Sequence, residues 1–501
     1  MHTIDAPDPT ASPDDTGLDP ARWDRLQALG HRMLDDMFEQ LQTLRERPVW
    51  RPVPEEVARR LSVPLPRRGI GAEAAYEAYL RDVFPYPLGN THPRFWGWVL
   101  GSGTPVGVLS ELLAAAMNPN LSGLRSGAIH VERQVLAWLK EMLGYPATSS
   151  GLLLSGGSMA NLVGLAVGAT ARAEFDVAAE GWAAAPRRPV VYASAETHFS
   201  VEKAVRTLGL GTDRLRYIPT DAEYRIDLAA LDAAIEADRR AGLHPLALVG
   251  NAGTVNTGAF DDLERLADVA EREGLWFHVD AAFGAFAALD PELADRVRGL
   301  ERADSLAFDL HKWLLVPVEA GAILVRHPEA QRAAFRVSGE YVSHVAGGIG
   351  KDSTEFAELG PQLTRGFRAL KVWMSLKAHG ADAYAALVRR NVEQARYLAR
   401  RVTEHPQLEL LAPVPLNVVN YRFDPGDLDG GGLDELNHDI LVRLHEDGIA
   451  APSHTRLGGR FALRVCITNH RTRRNDLDLL LRETVRLGAD LLEGGEPASF
   501  S

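Results

Sequence analysis

The sequence predicts an α/β protein built around an open sheet. Three observations carry that expectation. From Gly151 onward, short apolar runs alternate with amphipathic segments of helical period, the pattern of strand–crossover–strand units. Several of the apolar runs end in small and polar residues, as strand ends around a ligand crevice do. The chain has 501 residues, 46% hydrophobic and 24% charged, an ordinary globular composition with length for a large core and at least one smaller domain.

Charge and cysteine content remove several classes of function. The formal net charge of −13 argues against a general nucleic-acid or anionic-membrane binder, since both require a basic face. The single cysteine, Cys466, lies in the apolar run Phe461–Ile467, so no intramolecular disulfide and no Cys/His metal cluster is expected, and the thiol reads as buried and inert. No basic-then-apolar leader and no run long enough to span a bilayer is present, so the expected location is cytoplasmic.

Taken in order, residues 1–20 are rich in Asp, Pro and Thr and read as a disordered leader. From Pro20 to about Arg47, Trp23, Leu26, Leu29, Met33, Met37, Leu41 and Leu44 recur at helical spacing. A single amphipathic helix so far from the main core asks for a partner subunit to lean on. A Pro-rich stretch and a second helix near Ala72–Val83 come next. His92-Pro-Arg-Phe-Trp-Gly-Trp-Val99 combines aromatics with the nearby breakers Gly101 and Gly103 and reads as a fixed loop, for packing or for substrate contact. Residues 106–117 and 128–143 are expected helices, separated by the polar, glycine-bearing loop 118–127.

The expected strands of the sheet are Gly151–Leu154, Pro189–Ala193, Leu246–Gly250, Leu275–Val279, Ser305–Phe308 and Ala320–Val325, with helices at 158–172, 199–208, 227–240 and 261–273. The residues just past each strand carry the chemistry. After the first, Ser155-Gly-Gly-Ser-Met-Ala-Asn161 runs into a helix, which suits either a phosphate seat or a plain glycine-rich turn. It lacks the Gly-Lys-Ser/Thr of a nucleotide P-loop and the spacing of a dinucleotide fingerprint. After the second comes His198 at a helix start, and after the third the polar loop Asn251–Gly258 containing Thr254. Asp280 ends the fourth, an apolar strand with no cation beside it in sequence, and a buried cation is its expected partner. The fifth leads to Asp309-Leu-His-Lys-Trp313, where Lys312 is flanked by Trp313-Leu-Leu-Val-Pro317. Read alone, that lysine either snorkels to water or is neutralised, by a lowered pKa or a Schiff base.

The five strand ends together supply a phosphate seat, a histidine, a Thr/Asn loop, a carboxylate and a lysine. Pyridoxal phosphate asks for this set: a lysine for its aldehyde, a carboxylate for its protonated ring nitrogen and a helix N-terminus for its phosphate.

Leu154-Ser-Gly-Gly-Ser-Met-Ala-Asn161, His278-Val-Asp-Ala-Ala282, Asp309-Leu-His-Lys-Trp313 and Arg365-Gly-Phe-Arg-Ala-Leu-Lys371 resemble the group II pyridoxal-phosphate-dependent decarboxylases, the family of aromatic L-amino acid, glutamate and histidine decarboxylases. The resemblance runs from about residue 85 to the C-terminus. It implies the aspartate aminotransferase fold (fold type I): a large domain with a mixed, mostly parallel seven-stranded sheet, a small C-terminal α/β domain, and an N-terminal segment wrapped around the partner of a homodimer with shared active sites. The implied boundaries are a leader at 1–20, the wrapping segment at 21–105, the cofactor domain at 106–385 and the small domain at 386–501. It implies Lys312 as the residue bonded to the cofactor, Asp280 on the ring nitrogen, His198 stacked on the ring with Thr254 and Ala282 around it, and Gly157, Ser158 and His311 on the phosphate. Asn161 belongs to the same loop.

Residues 338–361 are glycine-rich and aperiodic and read as a mobile lid. The resemblance implies that a lid tyrosine, Tyr341, returns the proton to Cα, with His344 a second candidate. Relatives that release an aldehyde commonly carry Phe there, so Tyr341 favours simple decarboxylation. Asp309 stands where many members have Asn, and Ser343 where the aromatic enzymes often have a basic residue. Loop 118–127 is more polar than in those enzymes. An aminotransferase would need a carboxylate-gripping arginine, a task to which no motif assigns Arg365 or Arg368. Residues 367–405 are expected to be helical, Asn417–Arg422 and Arg460–Thr468 to be strands and 475–494 a closing helix, with Arg464 and His470 in structural roles. The expected reaction is decarboxylation of an L-amino acid, aromatic slightly favoured, to the amine and CO2. The alternatives are an aldehyde synthase, or a decarboxylase of an acidic or other non-aromatic amino acid. No metal, nucleic-acid or membrane partner is expected.

Overall fold

The computed structural model describes residues 17–123, 125–336, 348–350 and 356–494. The chain forms two units. The smaller takes the residues up to Arg47 together with Pro52–Pro87, and the larger takes Pro48–Arg51 and everything from Leu88.

The smaller unit holds α1 (Trp23–Thr43), α2 (Glu55–Leu61) and α3 (Ala72–Asp82). The periodicity that predicts α1 is real, yet none of its residues is buried, and Trp23, Leu26 and Met33 stand exposed. What fastens it to α3 is polar: the Tyr76 hydroxyl donates to Asp36 at 2.7 Å and Arg32 pairs with Glu77 at 2.5 Å.

The larger unit opens with β1 (Phe95–Trp96), α4 (Pro105–Met117) and α5 (Gly127–Met142). It continues through β2 (Ser150–Leu154), α6 (Gly157–Arg172), α7 (Val177–Glu180), β3 (Pro189–Ser194), α8 (Ser200–Thr207), β4 (Leu215–Ile218) and α9 (Leu228–Arg240). Next come β5 (His244–Asn251), α10 (Leu263–Glu273), β6 (Trp276–Asp280), β7 (Ser305–Asp309) and β8 (Gly321–Val325). The seven strands β2 to β8 form one sheet in the order β2-β8-β7-β6-β5-β3-β4, parallel except for β8, which runs antiparallel to both β2 and β7. This is the mixed, mostly parallel seven-stranded sheet that the family resemblance implies. β3, β6, β7 and β8 are buried at every position, because helices cover both faces.

Register places the chemistry. Asn251 of β5 lies opposite Asp280 of β6, and Asp309 of β7 lies opposite Gly321 of β8, which in turn faces Leu154 of β2. The carboxyl ends of β2, β5, β6 and β7 thus meet along one edge. α6 crosses directly behind them. A Cβ at Gly164 would come within 2.6 Å of the His278 ring, and one at Gly168 within 2.4 Å of the Trp276 ring, so two glycines one turn apart let the helix touch the sheet.

The rest of the chain comprises α11 (Pro328–Phe335), α12 (Arg368–His379), α13 (Ala381–Glu404), β9 (Leu408–Leu410), β10 (Val418–Phe423), α14 (Gly430–Glu446), β11 (Ala451–Leu457), β12 (Arg460–Cys466) and α15 (Arg474–Leu492). Its five-stranded sheet has the order β1-β11-β12-β10-β9. The helical span expected at 367–405 is two helices, parted at Gly380, whose φ of 77° suits glycine. Four strands escape the sequence pattern: β4, β9, β11 and β1. The last corrects the loop expected at 92–99, since Phe95 and Trp96 pair in parallel with Ala451 and Pro452. Two residues are too few to show a period; the partner strand defines them.

Candidate active site

Lys312 lies in the turn after β7, and its Nζ is 3.0 Å from Asp309 Oδ2. The turn is clamped from outside. A Cβ at Gly101 would fall 1.9 Å from the His311 carbonyl oxygen and 2.6 Å from that of Lys312, so only glycine fits there, and Asn90 Nδ2 donates to the Gly101 carbonyl at 3.0 Å. The glycine just past the aromatic segment in sequence therefore serves the lysine.

Lys312 opens into a cavity of about 510 Å3 that also receives His198, Thr254, Asp280 and Ala282. Its walls include Trp98, Val99, Phe199, Val255 and Phe283. Five of the expected site residues are thus brought together by strands β3, β5, β6 and β7. Gly157 and His311 surround Asp309, beside Lys312, and Ser158 is exposed on the first turn of α6. Tyr341, Ser343 and His344 lie outside the described residues.

Asp280 is only 6% exposed, and its partners within the chain are neutral donors. Asn161 Nδ2 donates to Oδ2 at 2.8 Å and the Ala282 amide donates to Oδ1 at 3.0 Å. Uncharged donors can do this because strand-end geometry aims the Ala282 N–H back at the carboxylate, and α6 carries Asn161 past β6. Asn161 is fixed in turn. Its Oδ1 lies 2.9 Å from His278 Nε2, its Nδ2 also donates to Ser200 Oγ at 2.9 Å, and His278 Nδ1 lies 2.8 Å from Ser305 Oγ. Trp276 Nε1 donates to the same Ser305 hydroxyl at 2.8 Å. Since Asn161 Oδ1 only accepts, His278 carries its proton on Nε2 and accepts from Ser305 on Nδ1. Burial drives the His278 pKa down to about 4, which keeps the ring neutral in that tautomer at pH 7.

The same chain reaches His198. Ser200 Oγ, having accepted from Asn161, lies 2.7 Å from His198 Nδ1, and the Ser200 amide donates to that nitrogen at 3.2 Å. Nδ1 is therefore an acceptor, and Nε2 carries the proton of the neutral ring. Burial lowers the His198 pKa and Lys312 adds to the effect, against Asp280 and Asp309. Thr254 Oγ1 accepts from the Ala259 amide at 3.1 Å.

Sequence reasoning named Asn161, His198 and Asp280 separately but missed His278, Ser305, Trp276 and Ser200 as their supports. His278 and Ser200 each sit two residues from a named residue, the one available signal. It missed Glu196 as well. Glu196 lies on the cavity wall, accepts from Asn256 Nδ2 at 3.0 Å, and has its carboxyl pKa raised by burial.

Arg365 takes no part in the cavity. It is fully buried with Glu132 as ion-pair partner, and donates to the carbonyls of Leu121 and Leu153, each at 2.8 Å. Asn120 Oδ1 accepts from its amide at 3.0 Å. It thereby ties loop 118–127 to β2, the strand that delivers the Gly156-Gly157 turn. Arg464, also buried, holds the carbonyls of Trp98 and Val255 at 2.8 and 2.7 Å.

The donor set fits pyridoxal phosphate. A carboxylate with both oxygens already stabilised by N–H groups suits a protonated ring nitrogen, a lysine amine suits an aldehyde, and the amino end of α6 opens on glycines close to the carboxyl edge of the sheet. Among the described residues no helix is long and apolar enough to cross a membrane, and no group of His, Cys, Asp or Glu could hold a metal ion.

Comparison with known proteins agrees with this fit. Residues 80–424 match the pyridoxal-dependent decarboxylase conserved domain. The chain is 33% identical over 453 residues to an aromatic-L-amino-acid decarboxylase of Bacillus atrophaeus, covering 90% of this chain and 92% of the relative. It is 29% identical over 469 residues to a phenylacetaldehyde synthase of Petunia hybrida, covering 90% and 91%. The solved structure of Oryza sativa TDC with PLP and tryptamine superimposes with a TM-score of 0.86 at 26% identity, covering 95% of this chain and 100% of that one.

Proposed function

The chain belongs to the pyridoxal-dependent decarboxylase family and is a pyridoxal-phosphate-dependent amino acid decarboxylase; from that premise we propose that it acts on an aromatic L-amino acid, with Lys312, His198 and Tyr341 as its catalytic residues. The observation that carries the assignment of residues is the convergence of Lys312, Asp280 and His198 on one cavity beside the amino end of α6.

When bound, pyridoxal phosphate supplies an electron sink for the pair left on Cα as CO2 departs. The chain's own residues do the rest. Lys312 Nζ provides the amine that holds the cofactor. Asp280 keeps the ring nitrogen protonated, because Asn161 and Ala282 hold both of its oxygens in place as acceptors. His198 would stack on the ring face, with Thr254 and Ala282 packing around it. Gly157, Ser158 and His311 would hold the phosphate. Val99 and Phe283, buried on the cavity wall, would keep water from Cα, which strengthens every charge interaction inside. Tyr341 returns the proton to Cα.

Two features support an aromatic substrate. The wall carries the aromatic rings of Trp98, Phe199 and Phe283, and Glu196, which is acidic like Asp280 but has no cofactor role, would repel an acidic side chain. The relatives named for aromatic amino acids point the same way. Similarity to a phenylacetaldehyde synthase keeps a second reading alive, decarboxylation with release of aldehyde. Incubating the enzyme with single amino acids while measuring CO2, amine, aldehyde, ammonia and peroxide tests both. CO2 and amine from an aromatic amino acid are expected. Turnover of glutamate or aspartate alone would overturn the substrate assignment, and equimolar ammonia and peroxide the reaction type.

A homodimer with shared active sites is part of the proposal. It is supported by the uncovered apolar side chains of α1 and by Leu112, Leu113 and Met117, exposed on α4. Sedimentation at micromolar concentration tests it. A cytoplasmic location completes the proposal, and cell fractionation checks it.

A further inference from the structure

Asp309 is the residue of the site that the proposed mechanism leaves unused. Its carboxylate is 3% exposed. Oδ1 accepts from the Gly157 amide at 2.7 Å, the first N–H of α6, and Oδ2 lies 3.0 Å from Lys312 Nζ. The chain's own anion thus sits on the helix end that the proposed function gives to the cofactor's phosphate. It has little room to swing away: an added Cβ would come within 2.9 Å of its oxygens at Gly157 and 2.8 Å at Gly321.

We propose that Asp309 is a built-in competitor of the cofactor's phosphate, so that the seat accepts that phosphate together with one proton from solvent. The inference rests on the phosphate seating at the amino end of α6. Two anions held on one helix end, out of water, relieve their repulsion by sharing a proton, as paired carboxylates do. The charged groups facing Asp309 do not remove the conflict. His311 Nδ1, on the same turn, is 3.7 Å from Oδ1 and is engaged with the Ala320 carbonyl at 2.8 Å. His198, from the loop after β3, feels Asp280 and Asp309 together. α6 and β8 present glycines there. Among the described residues the cation in contact is Lys312, and one cation cannot balance a carboxylate and a phosphate dianion together. The proton goes from solvent onto the Asp309–phosphate pair, and seating the phosphate makes or breaks no other bond.

The test uses the full-length protein freed of cofactor and titrated with inorganic phosphate, which engages the seat without lysine chemistry. Calorimetry at pH 8 in two buffers of different ionisation enthalpy counts protons. About one proton taken up per phosphate bound is expected, with affinity falling about tenfold per pH unit above neutrality. Asp309→Asn should take up about none and bind phosphate at least tenfold tighter at pH 8.5. It should also hold pyridoxal phosphate on dialysis at a pH where the parent protein releases it. No proton uptake by the parent protein, or equal uptake by Asp309→Asn, overturns the proposal. Phosphate that binds without displacing pyridoxal phosphate overturns the seat as well. If Asp309→Asn does not fold, the proton count of the parent protein decides alone.

Discussion

His278 gives the sharpest test of the network behind Asp280. Burial puts its pKa near 4, against an ordinary value of 6.5. Between those values the unfolded chain binds a proton that the folded chain refuses. Stability is therefore full above about pH 6.5 and declines as pH falls towards 4. The decline is about 1.4 kcal/mol per pH unit, roughly 3 kcal/mol across the window and roughly 2 kcal/mol at pH 5. Gln at 278 can still donate to Asn161 Oδ1 but cannot titrate. His278→Gln should be less stable than the parent at pH 8, by about 1–3 kcal/mol, because Ser305 loses its acceptor. The gap should close by roughly 2 kcal/mol on going to pH 5. His470, whose pKa burial lowers to about 3, adds acid lability to both proteins and cancels in the comparison. Denaturant unfolding of both proteins at pH 8, 6.5 and 5 measures the gap. Parallel curves would show that His278 is not a neutral member of the Asp280 network. At pH 8 the variant should also show a changed absorption spectrum of the bound cofactor, through a loosened Asp280. A gap that closes with an unchanged spectrum would reduce His278 to packing.

Other substitutions probe other parts. Arg365→Met leaves Glu132 buried without its partner and should cost about 3–5 kcal/mol; adding Glu132→Leu should recover most of it, and no recovery in denaturant titration would deny the pair its structural role. Gly101→Ala drives a methyl into the His311 and Lys312 carbonyls and should lower covalent cofactor attachment, read by reductive trapping and mass spectrometry; full attachment would mean that the clamp does not position Lys312. Tyr341→Phe should shift product from amine towards aldehyde, and an unchanged ratio would remove Tyr341 as the Cα proton donor.

The parts of the site that were legible in sequence are those whose meaning is local. A lysine in an apolar run, a carboxylate closing an apolar strand and a glycine pair opening a helix each state a physical problem within a few residues, and the order of strand ends joins them. The supports could not be seen this way. His278 meets Ser305 only because β6 and β7 pair in that register. Glu132 and Arg365 are 233 residues apart, and a charged residue in a helix normally reads as solvated. Gly101 resembles any loop glycine until the lysine turn is laid against it. Asp280 illustrates the general difficulty: a buried carboxylate must have partners, but sequence does not reveal whether these are cations or N–H groups. The same limit applied to β1, whose two residues acquire strand geometry from β11.

The two carboxylates of the site have opposite needs. Asp280 receives two neutral donors and no cation among the described residues, so a cationic group added beside it completes its electrostatics. Asp309 already has a cation in Lys312 and a helix N–H in Gly157, so an anionic group added beside it meets repulsion. Pyridoxal phosphate carries a cationic ring nitrogen at one end and a phosphate at the other, and the cavity is asymmetric in the same sense. Neutralising the carboxylates should therefore move cofactor affinity in opposite directions. Asp280→Asn should weaken binding by about tenfold or more, since one charge interaction in a dry site is worth more than about 1.4 kcal/mol. Asp309→Asn should tighten it, increasingly so as pH rises. Equilibrium titration of each variant with pyridoxal phosphate at pH 7 and 8.5 decides the matter. Weakening by both substitutions at both pH values would mean that Asp309 supports the cofactor, and the competition argued from Gly157 and Lys312 would fall.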